Sequence, residues 1–256
     1  MDESVRPDPF LFYACAMISF LESRVETYVE NLQPFFACDA EIRNWLHSVW
    51  LPEEAAHGKL MRNLVERQWP ELNWQNAFKQ FSAVYVPRCK TEELRASVSL
   101  EALARCVTET ETSMIYRCMA SYSKNAELAA LLKKMSSDEV RHYGVFKKLH
   151  RFHERVERNS FVAKLKLITA RTELVRDEDL ALSFSPLNTN WEGERIFPAW
   201  SYKEFLSNTR KVMVRHFPYK EAKKMLFNPI GSQGFVGNMV LSFLSYTLDR
   251  KFTKHA

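Results

Sequence analysis

Apolar residues recur every three or four positions along most of this chain, and this spacing predicts long α-helices. Four such helices are expected over residues of about 8–33, 39–69, 91–123 and 125–157. Each of them has one apolar stripe with an acidic residue set into it. The first stripe reads Leu11, Ala14, Ile18, Glu22, Val25 and Val29.

The other three stripes have the same form, and two of them add a histidine one turn after the acid. They read Leu46, Trp50, Glu54, His57, Met61 and Leu64; then Ala102, Cys106, Glu109, Thr112, Tyr116 and Met119; and finally Leu132, Met135, Glu139, His142, Phe146 and Leu149. Residues three or four apart lie on one face of a helix, so each acid is predicted to face the core.

Two prolines modify this pattern. Pro34 is expected to end the first helix. Pro52 lies inside the second helix, where it removes a backbone hydrogen bond, so a kink or a helix that restarts is expected there. Residues 70–90 are expected to be irregular or to form a short helix.

The last hundred residues are less regular. A fifth helix is expected over 160–178, and residues 183–200 contain Pro, Asn and Gly in a way that predicts a long ordered loop. Ser201 is a candidate N-cap for a helix that ends near residue 217. A last apolar helix is expected over 234–250.

Composition supports an all-α fold. The chain has 256 residues, 46% of them hydrophobic, and only six glycines, which favours helices around a large core. We expect one domain, 1–256, in which a four-helix core (8–158) carries a helical extension (159–256) packed on it. The five cysteines are odd in number and form no C-x-x-C, as expected for free thiols in a reducing cytoplasm.

The apolar run at 10–21 is too short to span a membrane and lacks the basic start of a signal peptide, so no membrane association is expected. The net charge is +5, and much of the excess lies in residues 147–158 and 210–224. Such stretches are either solvated helix faces or a docking surface for an acidic partner, which would be a carrier protein or RNA.

The six polar residues on the stripes are candidate metal ligands: Glu22, Glu54, His57, Glu109, Glu139 and His142. Burying a lone carboxylate costs several kcal/mol, and four carboxylates placed together repel one another. Two divalent ions would balance their four negative charges. Carboxylate and imidazole ligands suit iron or manganese, whereas a structural zinc site more usually includes cysteine.

Two of these assignments have competitors. On helix three, Glu111 points about 200° away from Glu109 on an ideal helix, so Glu109 is preferred because it shares the apolar face. On helix one, Glu26 and Glu30 compete with Glu22, which fits better among the apolar positions.

At these residues the chain resembles the soluble acyl-carrier-protein desaturases, a branch of the ferritin-like di-iron family. The second-helix motif of that family, a Trp followed by Glu-Glu-x-x-His-Gly, reads here Trp50, Glu53, Glu54, His57 and Gly58. The fourth-helix motif reads Asp138, Glu139, Arg141 and His142, and the pairs that follow the other two glutamates are Glu22 with Tyr28 and Glu109 with Thr112. The resemblance covers about residues 8–155.

The resemblance implies a ferritin-like four-helix bundle and an O2-dependent di-iron oxidoreductase that desaturates or hydroxylates an apolar substrate. It implies two iron ions (Fe/Fe, with Mn/Fe also open), a ferredoxin-like electron donor, a homodimer, and a substrate held by an acidic carrier protein. Thr112 is the candidate catalytic residue that steers oxygen or a proton; the alternative is a hydroxyl bonded to its own helix backbone.

Several departures keep other functions open. Ala55 and Ala56 stand where plant-type desaturases have polar residues, and Met135 stands where related N-oxygenases place an extra histidine. A radical-storing subunit would need a tyrosine near the metal, for which Tyr116 and Tyr143 are candidates. Iron or peroxide handling and tRNA hydroxylation are further alternatives, although the chain has no recognisable RNA-binding module, so nucleic acid is not an expected partner.

Overall fold

The computed structural model describes residues 5–37, 39–89 and 97–231, with residues 173–178 described for their backbone only. Within these ranges the protein is all-α: it has ten α-helices and no β-strand, apart from one isolated bridge between Leu72 and Trp191. The helices are α1 (Pro9–Glu22), α2 (Val25–Phe35), α3 (Ala40–Trp45), α4 (Leu51–Gln68), α5 (Trp74–Tyr85), α6 (Val98–Tyr122), α7 (Ala126–Glu157), α8 (Phe161–Thr189), α9 (Tyr202–His216) and α10 (Tyr219–Phe227). None of these helices is long and apolar enough to cross a membrane.

The chain divides into two compact units. The first contains the described residues of Met1–Arg95 and Leu174–Leu206, and the second those of Ala96–Glu173 and Ser207–Ala256. In the first unit, α1 packs chiefly on α4; in the second, α6 packs along α7. The expected division into a core of 8–158 and an extension of 159–256 stays a prediction, as does the ferritin-like topology.

The first predicted helix is two helices, α1 and α2, separated at Ser23 and Arg24. The Ser23 N–H still bonds to Ser19 O, but Arg24 turns its N–H to Leu21 O, which tightens the chain and ends α1. The Arg24 guanidinium then bonds to Ser82 Oγ at 2.9 Å and lies 4.5 Å from the centre of the Phe78 ring. Contacts with α5 therefore stabilise the break between α1 and α2, and no local sequence signal predicts these contacts.

The second predicted helix stays helical from Ala40 to Gln68 but changes its winding before Pro52, and the expected kink or restart stays a prediction. α3 leads into a π-helical turn, Leu46–Trp50, in which the N–H of Leu51 bonds to Leu46 O. α4 then begins at Leu51 with Pro52 in its first turn, directly after the π-helical turn. In 70–90 the structure has α5 and a short 3₁₀ turn, Val86–Arg88.

The third and fourth predicted helices correspond to α6 and α7. Ser97 Oγ accepts the N–H of Leu100 at 3.1 Å, so α6 has a capped start at Val98, whereas the expected start near residue 91 lies outside the described residues. Asn125 caps α7 through the N–H of Leu128 at 2.8 Å. α7 ends at Glu157, followed by Arg158 in the left-handed region at φ 50°.

The expected loop at 183–200 is wrong in its first part, because α8 continues through Pro186 to Thr189. Phe184 stacks on Tyr13 with ring centres 4.8 Å apart, and the Tyr13 hydroxyl donates to Asn188 Oδ1 at 2.7 Å. Packing on α1 therefore outweighs the helix-breaking tendency of the proline. α9 starts after Ser201 as expected, α10 was not predicted, and the expected helix at 234–250 lies outside the described residues.

Candidate metal centre

Three candidate ligands of the first unit come together at the end of α1. Glu22 is the last residue of α1, and Glu54 and His57 lie one turn apart on α4. Each of the three offers a ligand atom, and these atoms lie within 4.8 Å of one another. Nδ1 of His57 is 3.5 Å from Oε2 of Glu54. We call these residues the first trio.

A glycine brings the two helices of the first trio close together. A Cβ atom at Gly58 would lie 2.9 Å from both N and Oγ of Ser23 and 3.0 Å from the carbonyl carbon of Glu22. Real Cβ atoms essentially never make contacts under 3.0 Å, so only glycine lets α4 touch the backbone that follows Glu22. The residue after His57 thus sets how closely Glu22 approaches its two partners.

The second unit holds an equivalent group, the second trio, on α6 and α7. Nδ1 of His142 lies 3.2 Å from Oε2 of Glu139 and 3.5 Å from Oε2 of Glu109. Their ligand atoms also lie within 4.8 Å of one another. In both trios the Nδ1 edge of the imidazole faces the carboxylates, because a histidine three residues after a glutamate stands over the same helix face.

The competing acids differ in their exposure to solvent. Glu109 is 3% exposed, whereas Glu111 is half-buried. Glu26 and Glu30 are exposed, while Glu22 is half-buried and belongs to the first trio. On both helices the acid that lies on the apolar stripe is therefore the less exposed one, and its role as a metal ligand stays a prediction.

Both trios concentrate negative charge away from water. Apart from half-buried Glu22, the other five trio residues are at most 5% exposed. Arg105, a buried cation one turn before Glu109 on α6, donates to Glu101 at 3.0 Å and so pairs with that acid. Each trio has two carboxylates and one imidazole, and one divalent ion per trio would neutralise it.

The donor atoms fit a hard or intermediate cation. Both trios offer oxygen and nitrogen only, a set typical of iron and manganese rather than of structural zinc. Cys106, one turn before Glu109, is buried, and burial together with the charge of Glu109 raises the pKa of its thiol. The thiol therefore stays protonated and contributes packing to the site.

Two polar residues next to the second trio form hydrogen bonds within their own helices. Thr112 Oγ1 donates to Thr108 O at 3.1 Å. This is the bond to its own helix backbone that was the alternative to a catalytic role. Its role in catalysis stays a prediction. Arg141 donates to Asp138, which is one turn earlier on α7.

Sequence reasoning missed two buried features beside the trios. Ser113, one turn after Glu109, bonds to the carbonyl and the hydroxyl of Ser136 at 3.0 and 2.8 Å and joins α6 to α7. The buried pair of Glu101 and Arg105 was also missed. Its signal was present, since an acid and a base four residues apart on a helix can pair, but the same pattern is common on exposed faces.

Comparisons with protein-family models, with curated proteins and with solved structures find no match for this chain. The resemblance to the desaturases therefore rests on the motifs themselves. The structure establishes an all-α protein with a buried group of Glu and His residues that could hold metal.

Proposed function

We propose that each trio holds one metal ion, and that the protein is an O2-dependent di-iron oxidoreductase acting on an apolar substrate by desaturation or hydroxylation. The observation that supports this most is the repetition of one buried arrangement, two carboxylates and one imidazole, on two pairs of helices. A single buried acid can be stabilised by an ion pair within the protein. Four buried or half-buried acids beside two histidines would cost much more free energy to bury without a cation.

In this proposal Glu22, Glu54 and His57 hold one ion, and Glu109, Glu139 and His142 hold the other. Two divalent ions and four carboxylates give a neutral site with neutral imidazoles. Iron fits the donor atoms, as Fe/Fe or Mn/Fe, and when bound it supplies the redox chemistry with O2, using electrons from an external donor.

The chain itself supplies position and a dry environment. Tyr116 and Cys106 are buried on the same helix as Glu109, which is itself 3% exposed. The Thr112 hydroxyl, one turn from Glu109, keeps lone pairs while it donates to Thr108 O, so it can accept a hydrogen bond from a group bound beside it and orient that group. We propose this as its role.

Metal content tests the proposal directly. We expect two iron ions per chain after anaerobic loading with Fe(II), and at most one in Glu54→Ala or Glu139→Ala. The controls are Glu66→Ala on α4 and Glu127→Ala on α7, which remove exposed acids and should keep both ions. Iron quantification by mass spectrometry, with optical spectra after exposure to O2, gives the result.

A folding control separates metal loss from misfolding. Glu54→Gln and Glu139→Gln keep the side-chain shape and remove a buried charge, so the metal-free variants should be at least as stable as the metal-free parent. The parent should gain about 3–4 kcal/mol with metal at 100–1,000 times its dissociation constant, and the variants should gain less. One zinc ion per chain, or no iron after loading, would refute the proposal.

The alternative functions have their own signatures in the same samples. A tyrosyl radical that persists after aerobic loading would favour a radical-storing subunit, for which the buried Tyr116 is a candidate. Assembly into a cage would favour iron storage. Turnover of an apolar substrate with two electrons per O2 would favour the oxidase.

A further inference from the structure

One face of α6 carries a line of polar side chains that leads to the second trio. Glu101, Arg105, Glu109 and Thr112 follow one another in steps of four, four and three residues, so they lie on the same side of the helix. The first three are buried and Thr112 is half-buried. Arg105 is the cation among these four residues, and it is not a proposed metal ligand.

Within the described residues, one edge of the Arg105 guanidinium is used and the other is open. Its Nε donates to Oε1 of Glu101 at 3.0 Å. In the part of the chain that the structure describes, no group accepts a hydrogen bond from the two terminal amino groups, Nη1 and Nη2. Arg105 is only 6% exposed, so these groups have little contact with bulk water. A guanidinium has five N–H donors and keeps its charge, so a ligand that supplies acceptors here gains free energy.

The bond to Glu101 also sets the direction of the Arg105 side chain. Glu101 is one turn nearer the start of α6, so the guanidinium extends toward that end and away from Glu109. Arg105 and Glu109 are four residues apart, which corresponds to about 6 Å along the helix axis. A group held by the guanidinium would therefore need a chain of several atoms to reach an ion bound at the second trio.

We propose that Arg105 binds the carboxylate of an apolar acid, the other end of which extends toward the second trio. This inference rests on the proposed function, because it names the class of substrate for that site. The open edge of a guanidinium can hold a carboxylate through two parallel N–H···O bonds, and such charged pairs are stronger than bonds between neutral groups. Arg105 is thus the residue that determines specificity for the head group.

The burial of Arg105 favours a small molecule over a protein or a membrane surface. A broad surface cannot reach a side chain that is almost fully buried, whereas a slender acid can. A phosphate would bring up to two negative charges near Glu101 and Glu109, whereas a carboxylate brings one. The thioester of a carrier-bound acyl chain offers only a neutral carbonyl. The substrate is therefore a free acid and not the carrier-bound form that the desaturase resemblance implies.

Titration calorimetry with three ten-carbon probes tests this inference on the metal-free full chain. The probes are decanoate, methyl decanoate and the decanoyl thioester of pantetheine, which share the apolar chain and differ in the head group. Decanoate should bind about 10- to 100-fold more tightly than the other two, the range expected for hydrogen bonds to a charged group. Because no metal is bound, the carboxylate has no ion to bind in place of Arg105.

Two variants assign the preference to Arg105. Arg105→Lys keeps a cation beside Glu101 but lacks the planar fork, so the preference for decanoate over its ester should shrink. Glu101→Leu/Arg105→Met removes both charges and should reduce the preference to less than about threefold. The control is Arg117→Lys, which changes an exposed arginine of the same helix and should keep the full preference. Circular dichroism and melting temperatures show whether each variant is folded.

The parent protein decides the outcome even where a variant misfolds. Equal binding of decanoate and its methyl ester would overturn the inference, since water would then satisfy the terminal amino groups. Tighter binding of the thioester would overturn it in favour of a carrier-bound substrate. A preference that survives in the folded double variant, or that Arg117→Lys abolishes equally, would exclude Arg105 as its source.

Iron content, measured on the same parent protein, separates this inference from the proposed function. A chain that prefers decanoate but holds no iron after loading refutes the proposed function alone. A chain that holds two iron ions and shows no preference among the three probes refutes the role of Arg105 alone.

Discussion

A methyl group added at Gly58 tests how the end of α1 positions Glu22. In Gly58→Ala the new Cβ would lie 2.9 Å from Ser23 N, which is 0.5 Å short of the 3.4 Å at which ordinary contact begins. A backbone atom cannot rotate away as a side chain does. The last turn of α1 must therefore move away from α4 by about half an ångström, and Glu22 must move with it.

Two opposing effects decide whether Gly58→Ala raises or lowers the free energy of unfolding. An exposed Gly→Ala change within a helix stabilises by up to about 1 kcal/mol, whereas overpacking costs about 1–3 kcal/mol. We expect a net loss, of about 0–2 kcal/mol, in the metal-free protein. Metal ligands tolerate a displacement of only about 0.2 Å, so the ion held by the first trio should bind more weakly. The ion of the second trio should be retained.

Gly144→Ala on α7 is the matched control, because a Cβ there meets nothing within 4 Å. It should stabilise the chain and keep both ions. The assays are urea unfolding without metal and iron retention against a chelator. If Gly58→Ala stabilised the protein as Gly144→Ala does and kept both ions, the contact with Ser23 would not position Glu22, and the reasoning would be refuted.

Two further predictions concern buried groups of the second unit. Arg105→Met leaves Glu101 buried without this partner and should cost about 3–5 kcal/mol in urea unfolding, whereas the double variant Glu101→Leu/Arg105→Met should recover most of it; equal loss in both would contradict a desolvation penalty. Burial lowers the pKa of His150 below its ordinary 6.5, so the unfolded chain takes up a proton that the folded chain excludes, and the melting temperature should fall as the pH drops below about 6.5. His150→Asn, which can replace the bond of Nδ1 to Ser99 O, should flatten that dependence between pH 7.5 and 5.5, and an unchanged slope would exclude His150 as its source.

The sequence predicted those features whose causes are local. Glu54 and His57 lie three residues apart on one stripe, so their common face follows from helix geometry alone. Pro52 removes an N–H whatever surrounds it, so a local irregularity of the helix beside it was predictable. The helix starts at Asn125 and Ser201 were also predicted, and in both the side chain of that residue accepts a backbone N–H three residues later.

The features that were missed depend on contacts between distant segments. α1 ends at Glu22 because Arg24 bonds to Ser82 and because Gly58 admits the backbone of Ser23. α8 continues through Pro186 because Phe184 stacks on Tyr13. In each case the two residues in contact are more than 30 positions apart in the sequence. Neither the apolar pattern of one helix nor a local turn motif indicates such a contact.

The π-helical turn before Pro52 has a consequence for the direction in which α3 and α4 face. Ile42, Leu46, Trp50 and Glu54 are all buried, although they follow one another in steps of four. On a regular α-helix each such step overshoots a full turn by about 40°, so three steps would carry Ile42 about 120° away from Glu54. The wider turn at Leu46–Trp50 takes back part of this rotation. The π-helical turn thus reduces the rotation between α3 and α4. As a result, the apolar residues of α3 and the proposed metal ligands of α4 are buried on one side.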